Sequence, residues 1–128
     1  MFIGSSTSTS PVFAALAGAA IEKGAGKAVK FDASGNIVLC SAAGEAPVGI
    51  LILQTADKVA MGDSATVQIR GLGQAIAGGT IAAGDLLSVD ASGRVAKATS
   101  GHYVIGQAMS AGAAGGIISI DIFKGGKA

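Results

Sequence analysis

Charge is scarce in this chain: Asp, Glu, Lys and Arg make up 13% of its 128 residues, about half the share of an average soluble domain. Much of the surface must therefore be Ala, Gly, Ser and Thr, which invites burial against partners. There is no Trp, one Tyr, one His and one Cys. A single Cys excludes an internal disulfide, and Cys40, in the apolar run Ile37-Val38-Leu39-Cys40, reads as a buried structural thiol. Few aromatics interleaved with cations exclude a stacking platform for single-stranded nucleic acid. The basic residues are scattered from Lys23 to Lys127 and the formal net charge is +1, so no electrostatic footprint for a phosphate backbone exists. No apolar run approaches the about 18 uncharged residues of a membrane span. The apolar, Ser/Thr-rich start lacks a basic n-region, which argues against a secretion signal.

Half the residues are apolar, mainly Ala, Val and Ile. Their regular placement argues for folding and makes the 21 Gly punctuation of turns rather than a sign of disorder. The length fits one compact domain.

An internal repeat organises the chain. Asp32-Ala33-Ser34-Gly35 recurs as Asp90-Ala91-Ser92-Gly93, Gly26 maps to Gly84, and Val48-Gly49-Ile50 is answered by Ile105-Gly106-Gln107. An Asp carboxylate bonds the backbone two residues on and Gly supplies positive φ, so Asp32, Gly35, Asp90 and Gly93 read as structural turn residues of two hairpins. Thr66-Val67-Gln68-Ile69-Arg70 and Ile118-Ser119-Ile120-Asp121-Ile122 alternate as half-buried closing strands at a sheet edge. Residues 49–53 are apolar on both faces and predict a central strand or one covered by a partner. Each copy, approximately 24–71 and 82–125, thus reads as a four-stranded unit. Residues 73–84 read as the link between copies, and residues 1–20 as an extended arm preceding a β domain at 21–128. The fold class is all-β, with the two units closing into a small barrel or a pair of packed sheets.

The chemical inventory is thin. His102 has no second His for metal ligation at any recognisable spacing. Asp63 and Asp85 sit, like Asp32 and Asp90, at turns leading into strands, which accounts for them without acid–base work. Gly71-Leu72-Gly73 is followed by no Gly-Lys-Ser/Thr, and no Gly-x-Ser-x-Gly elbow occurs. The reading is of a chain that is not an enzyme, with no cofactor and no metal.

Residues 77–95, with Val104-Ile105-Gly106-Gln107-Ala108 and residues 113–122, resemble the closing half of the small capsid decoration, or cement, proteins of tailed bacteriophages. The resemblance implies a β-tulip-like domain that assembles as a homotrimer on the outer surface of a virus head, made in the bacterial host cytoplasm and stabilising the shell by bridging subunits of the major capsid protein. Many weak contacts repeated over a lattice stabilise by avidity. On that reading Phe2, Ile3, Pro11, Val12, Phe13 and Leu16 form a coat-binding or neighbour-binding arm, and Ile50 and Ile52 form the trimer interface. Nucleic acid and membrane are not expected partners. The Ser/Thr-rich start is not explained by the resemblance and suits a head fibre or a fused spike, and a carbohydrate-binding, adhesin-like β domain, in which Tyr103 beside His102 would have to stack the sugar almost alone, is the main rival.

Overall fold

The computed structural model describes residues 12–22, 24–52 and 58–128, and every named element among them is a strand. In chain order these are β1 (Val12–Leu16), β2 (Ile21–Glu22), β3 (Ala28–Phe31), β4 (Ile37–Leu39), β5 (Gly49–Leu51), β6 (Lys58–Val59), β7 (Ser64–Gln68), β8 (Gly71–Ile76), β9 (Leu86–Val89), β10 (Val95–Lys97), β11 (Gly106–Ala108) and β12 (Ile117–Ile122).

Ten of the strands form two five-stranded antiparallel sheets of the same design, and β2 and β6 pair as a separate two-stranded sheet. The first runs β1-β7-β5-β3-β4 and the second, read from its other end, β8-β12-β11-β9-β10. The repeat holds down to single hydrogen bonds. Asp32 Oδ1 accepts from the backbone N–H of Ser34 at 2.8 Å and of Asn36 at 3.0 Å, and Asp90 Oδ1 accepts from Ser92 at 2.8 Å and Arg94 at 2.9 Å. Gly35 and Gly93 close these two turns at a φ of 80° each, a conformation that costs a side chain-bearing residue steric strain. The sequence-predicted turns therefore sit where their chemistry puts them.

Each sheet has one strand more than the four-stranded unit read from the sequence. β1 comes from the segment read as an arm and β8 from the segment read as a link. The two are equivalent: β1 pairs with β7 (Val12↔Gln68 to Leu16↔Ser64) as β8 pairs with β12 (Leu72↔Asp121 to Ile76↔Ile117). Beyond each, one parallel bridge reaches the far edge of the same sheet, Ala17↔Ile37 in the first and Ala77↔Val95 in the second. The repeat boundaries accordingly move to the starts of β1 and β8. The closing strands β7 and β12 each gain a neighbour on both sides and so are interior, not edge, strands. Among the described residues a single bridge, not a continuous ladder, joins the edges, so each unit is a curled five-stranded sheet where the resemblance implied a barrel.

The cores follow the same correspondence. Ala17, Ile21, Val29, Ile37, Leu51, Ala65 and Val67 fill the first sheet; their counterparts Ala77, Ile81, Leu87, Val95, Ala108, Ile118 and Ile120 fill the second. β5 lies in the middle of its sheet with all three residues buried, as the doubly apolar run predicted. Ala28, Cys40 and Ile50 point the other way and join the core of the second repeat. The back of the first sheet is thus packed onto the second unit and fixes the two as a head-to-tail pair. Four backbone hydrogen bonds cross the seam: Ala28 N–H to Gly93 O (2.6 Å), Gly44 N–H to Val89 O (2.9 Å), Ile76 N–H to Gly26 O (2.9 Å) and Tyr103 N–H to Gly44 O (3.0 Å).

Candidate interaction surface

Several polar side chains of the structure hold loops. Glu45 closes the β4–β5 loop: one carboxylate oxygen accepts from the backbone N–H of Ser41 (2.6 Å) and Ala42 (3.1 Å), and the other pairs with Lys30 Nζ at 2.9 Å. Partial burial opposes ionisation of Glu45, but the Lys30 hydrogen bond and the two backbone donors outweigh it and hold the carboxyl below its usual range. The same hydrogen bond, to Glu45, raises the ammonium of Lys30. Asp85 Oδ2 accepts from Ala82 N–H at 2.9 Å, the turn role read for it.

His102 Nδ1 lies 3.0 Å from Ser88 Oγ, the geometry of a nucleophile and its base. Ser88 is buried in β9, and the groups on the imidazole are Ser88 and Thr99, with no carboxylate among them to orient a base as acyl-transfer chemistry requires. The ring instead fills the space over Gly44, where an added Cβ would strike it. Among the described residues no group of three His, Cys, Asp or Glu is placed to hold a metal ion. Tyr103 is half-exposed, and Lys127 Nζ stands over its ring at 5.3 Å, a cation–π contact on the face a sugar would need.

Among the described residues, Cys40 is the one titratable group in the core. Burial, reinforced by the nearby Glu45, pushes its thiol up to about 12, whereas an unfolded-state thiol ionises near pH 8.5. The raised value means that the neutral form is favoured in the folded chain. This contribution is complete below pH 8.5 and is lost as pH rises towards 12. Stability should therefore fall between pH 8.5 and 10 with a slope approaching about 1.4 kcal/mol per pH unit. Urea midpoints across that interval should flatten in Cys40→Ala; an equal slope in both proteins would remove Cys40 as the cause.

What the surface does offer is apolar. Val12, Leu16 and Phe31 of the first repeat and Leu72, Leu86, Met109 and Ile117 of the second are large and exposed. Two clefts open beside the seam. One, of about 340 Å³, lies between Leu51, Ile52 and Gln68 of the first repeat and Gln74, Ile76 and Ile117 of the second. The other, of about 260 Å³, lies between Val48 and Ile69 and the residues Tyr103, Ile105, Ile122 and Phe123. Grooves lined by aliphatic side chains on a rigid strand frame receive apolar anchors of a partner; they present nothing that activates a substrate.

The residues singled out from sequence scatter over this surface. Phe2, Ile3 and Pro11 lie outside the described residues. Val12 and Leu16 are exposed on β1, and Phe13 holds its place in that strand opposite Val67, so this part of the expected arm belongs to the first sheet. Ile50 is buried in the chain's own core because the second repeat covers the back of β5, and so it is not part of any surface the folded chain presents. Ile52 is half-buried and lines the larger cleft. The exposed residues of β8 and β9 went unread as surface; the signal was a contrast between copies, Leu86 standing where the first repeat has Ala28.

Comparison with known proteins gives this surface a context. A family model described as phage cement protein matches residues 54–122, just over half of the 128-residue chain, from the end of the first repeat through β12. Among solved structures, the chain is similar to the N base of the head fiber gp8.5 in bacteriophage phi29, with a TM-score of 0.65 and 21% sequence identity over 92% of this chain and 97% of that one. At that identity the likeness speaks for the fold. No curated protein matches the chain.

Proposed function

Since the chain belongs to the phage cement protein family, we propose that it is a non-catalytic structural protein of a tailed-phage head, docked on the outside of the shell after synthesis in the host cytoplasm. The family match carries this reading. The surface supports it: exposed aliphatic side chains on a rigid two-sheet frame, and polar groups committed to turns and loops. The partner is the major capsid protein, with further copies of this chain, in a trimer on the family's pattern, as the second contact. Residues 1–11, with Phe2, Ile3 and Pro11, are the proposed coat-binding segment, continued on β1 by the exposed Val12 and Leu16.

Two modes of head attachment differ in copy number. The whole-chain likeness to a head-fiber base favours the first, in which this domain is the base of a projection at a limited set of shell positions. The description of the family favours the second, a cement spread over every capsomer. Purified chain titrated onto undecorated heads of its phage, with bound copies counted at saturation, separates them. Saturation well below one copy per coat subunit supports the fiber base. Saturation near one supports lattice-wide cement. Failure to bind heads overturns both, and a glycan-binding screen then tests the adhesin alternative through Tyr103.

A further inference from the structure

The smaller of the two clefts is apolar inside and cationic at its lip. Ala46, Val48 and Ile69 of the first repeat form one wall, and Val104, Ile122 and Phe123 of the second form the other. Among the described residues no carboxylate lines it. Glu45, next in the chain to Ala46, is committed elsewhere: its oxygens are taken by Lys30 and by the backbone N–H groups of Ser41 and Ala42. Lys124 is exposed and lines the cleft. Lys127, also exposed, holds its Nζ 5.3 Å from the ring centroid of Tyr103, another lining residue. Neither lysine takes part in the ion pairs found among the described residues.

The backbone that carries both lysines is fixed against the second repeat. Gly125 N–H donates to Val104 O (3.2 Å), Val104 N–H to Gly126 O (2.7 Å) and Ala128 N–H to His102 O (2.7 Å), and Tyr103 and Lys127 are bridged between them. The cationic lip is therefore in position before a partner arrives, so little ordering of the chain has to be met from the binding energy.

We propose that this cleft docks an acidic protein segment carrying a bulky apolar side chain: the side chain enters between Val48 and Phe123, and carboxylates flanking it pair with Lys124 and Lys127. Charge complementarity selects the occupant. An aliphatic and aromatic cleft of about 260 Å³ has room for a large anchor, and cations with no partner of their own at its rim favour carboxylates beside that anchor over neutral or basic residues. Nucleic acid is a poor match, because a phosphate backbone needs a longer run of cations and gains nothing from apolar walls. This inference rests on the capsid reading above and assigns the acidic segment to the major capsid protein.

The test uses the full chain and undecorated heads of its phage, with bound chain measured by co-sedimentation as its concentration is raised. The double variant Lys124→Glu/Lys127→Glu should bind about tenfold more weakly or worse, since it turns two attractions into repulsions. Added salt should weaken the wild-type chain more than the double variant. Ala46→Trp, at an exposed position of the cleft wall, should fill the cleft and weaken binding about thirtyfold. Lys97→Glu, an exposed charge reversal on β10 that lines neither cleft, should bind as wild type. Circular dichroism and thermal melting check that each variant is folded. A carbodiimide, which condenses an amine with a carboxylate in contact with it, should link Lys124 or Lys127 of the bound wild-type chain to an Asp or Glu of the coat protein that neighbours a large apolar residue. The crosslink needs no variant, so it decides the matter even if Ala46→Trp fails to fold. A wild-type chain that does not bind heads overturns the capsid reading and this inference with it. Binding by the wild-type chain that the double lysine variant or a folded Ala46→Trp matches, an equal loss in Lys97→Glu, or a bound complex with no crosslink at either lysine overturns this inference alone.

Discussion

Ile50→Lys is expected to unfold the chain, while Ile52→Lys, two residues along, leaves it folded. Ile50 is 1% exposed and sits with Ala28 and Cys40 against the core of the second repeat. The substitution removes aliphatic packing worth about 2–5 kcal/mol and puts an ammonium group in its place, whose effective burial penalty is again several kcal/mol. A domain of this size has about 5–15 kcal/mol to lose, so most of its stability goes. Ile52 borders an open cleft. A lysine there runs its aliphatic stem along the cleft wall and keeps its charge in water, at a cost of about 1 kcal/mol or less. Thermal melting followed by circular dichroism, with limited proteolysis, reads both. A soluble, cooperatively melting Ile50→Lys chain would mean that the two repeats do not share a core. It would return Ile50 to the list of candidate contacts between subunits.

The seam explains which parts of this molecule could be read in advance. The Asp32 and Asp90 turns were legible because their chemistry is local: one carboxylate and one positive-φ glycine within four residues fix the bend whatever surrounds it. Alternation likewise placed Ile118, Ile120 and Ile122 on one buried face. β1 and β8 were missed because their inward residues are Ala15, Ala17, Ala75 and Ala77, which carry little alternation in hydrophobicity, and because β1 is held by β7, some fifty residues away along the chain. The match was nonetheless present, Ala15-Leu16-Ala17-Gly18 with Ile21 against Ala75-Ile76-Ala77-Gly78 with Ile81. Added side chains at Gly18 and Gly78 would collide with the carboxylates of Asp32 and Asp90 respectively, so those glycines and the turn aspartates form one device used twice. The burial of Ile50 was illegible for a different reason. The pattern shows that both faces of β5 are apolar, but whether the second is covered by the same chain or by another depends on how the repeats stack, and nothing local encodes that.

The divergence of the copies follows what each face packs against. Where both repeats face their own interiors the residues are interchangeable aliphatics, Val29 for Leu87 or Ile37 for Val95. Where the first repeat meets the second they are small, Ala28 and Cys40, and where the second repeat faces outward the same positions hold Leu86 and Ala98.

The second large effect is expected at Gly49 and Gly106, equivalent positions in the central strands β5 and β11. A Cβ at Gly49 would fall on the backbone carbonyl oxygen of Gln68, and one at Gly106 on that of Asp121. Neither glycine has a positive φ, so the demand is for space alone. The obstructing atoms belong to β7 and β12, each held between two ladders, and neither strand withdraws without breaking pairing on its other side. Overpacking in a core ordinarily costs about 1–3 kcal/mol because a side chain gives way; here backbone must, so Gly49→Ala and Gly106→Ala should each cost about 3 kcal/mol or more. Gly79→Ala, where an added Cβ meets nothing within 4 Å, should lie within about 0.5 kcal/mol of wild type or above it. Urea denaturation of the three variants measures these differences. Equal large losses at Gly49 and Gly106 would establish that the two repeats depend on the same close strand approach. A Gly106→Ala midpoint matching that of Gly79→Ala would show that β11 relaxes where β5 cannot, making the second repeat the more pliable half of the stack.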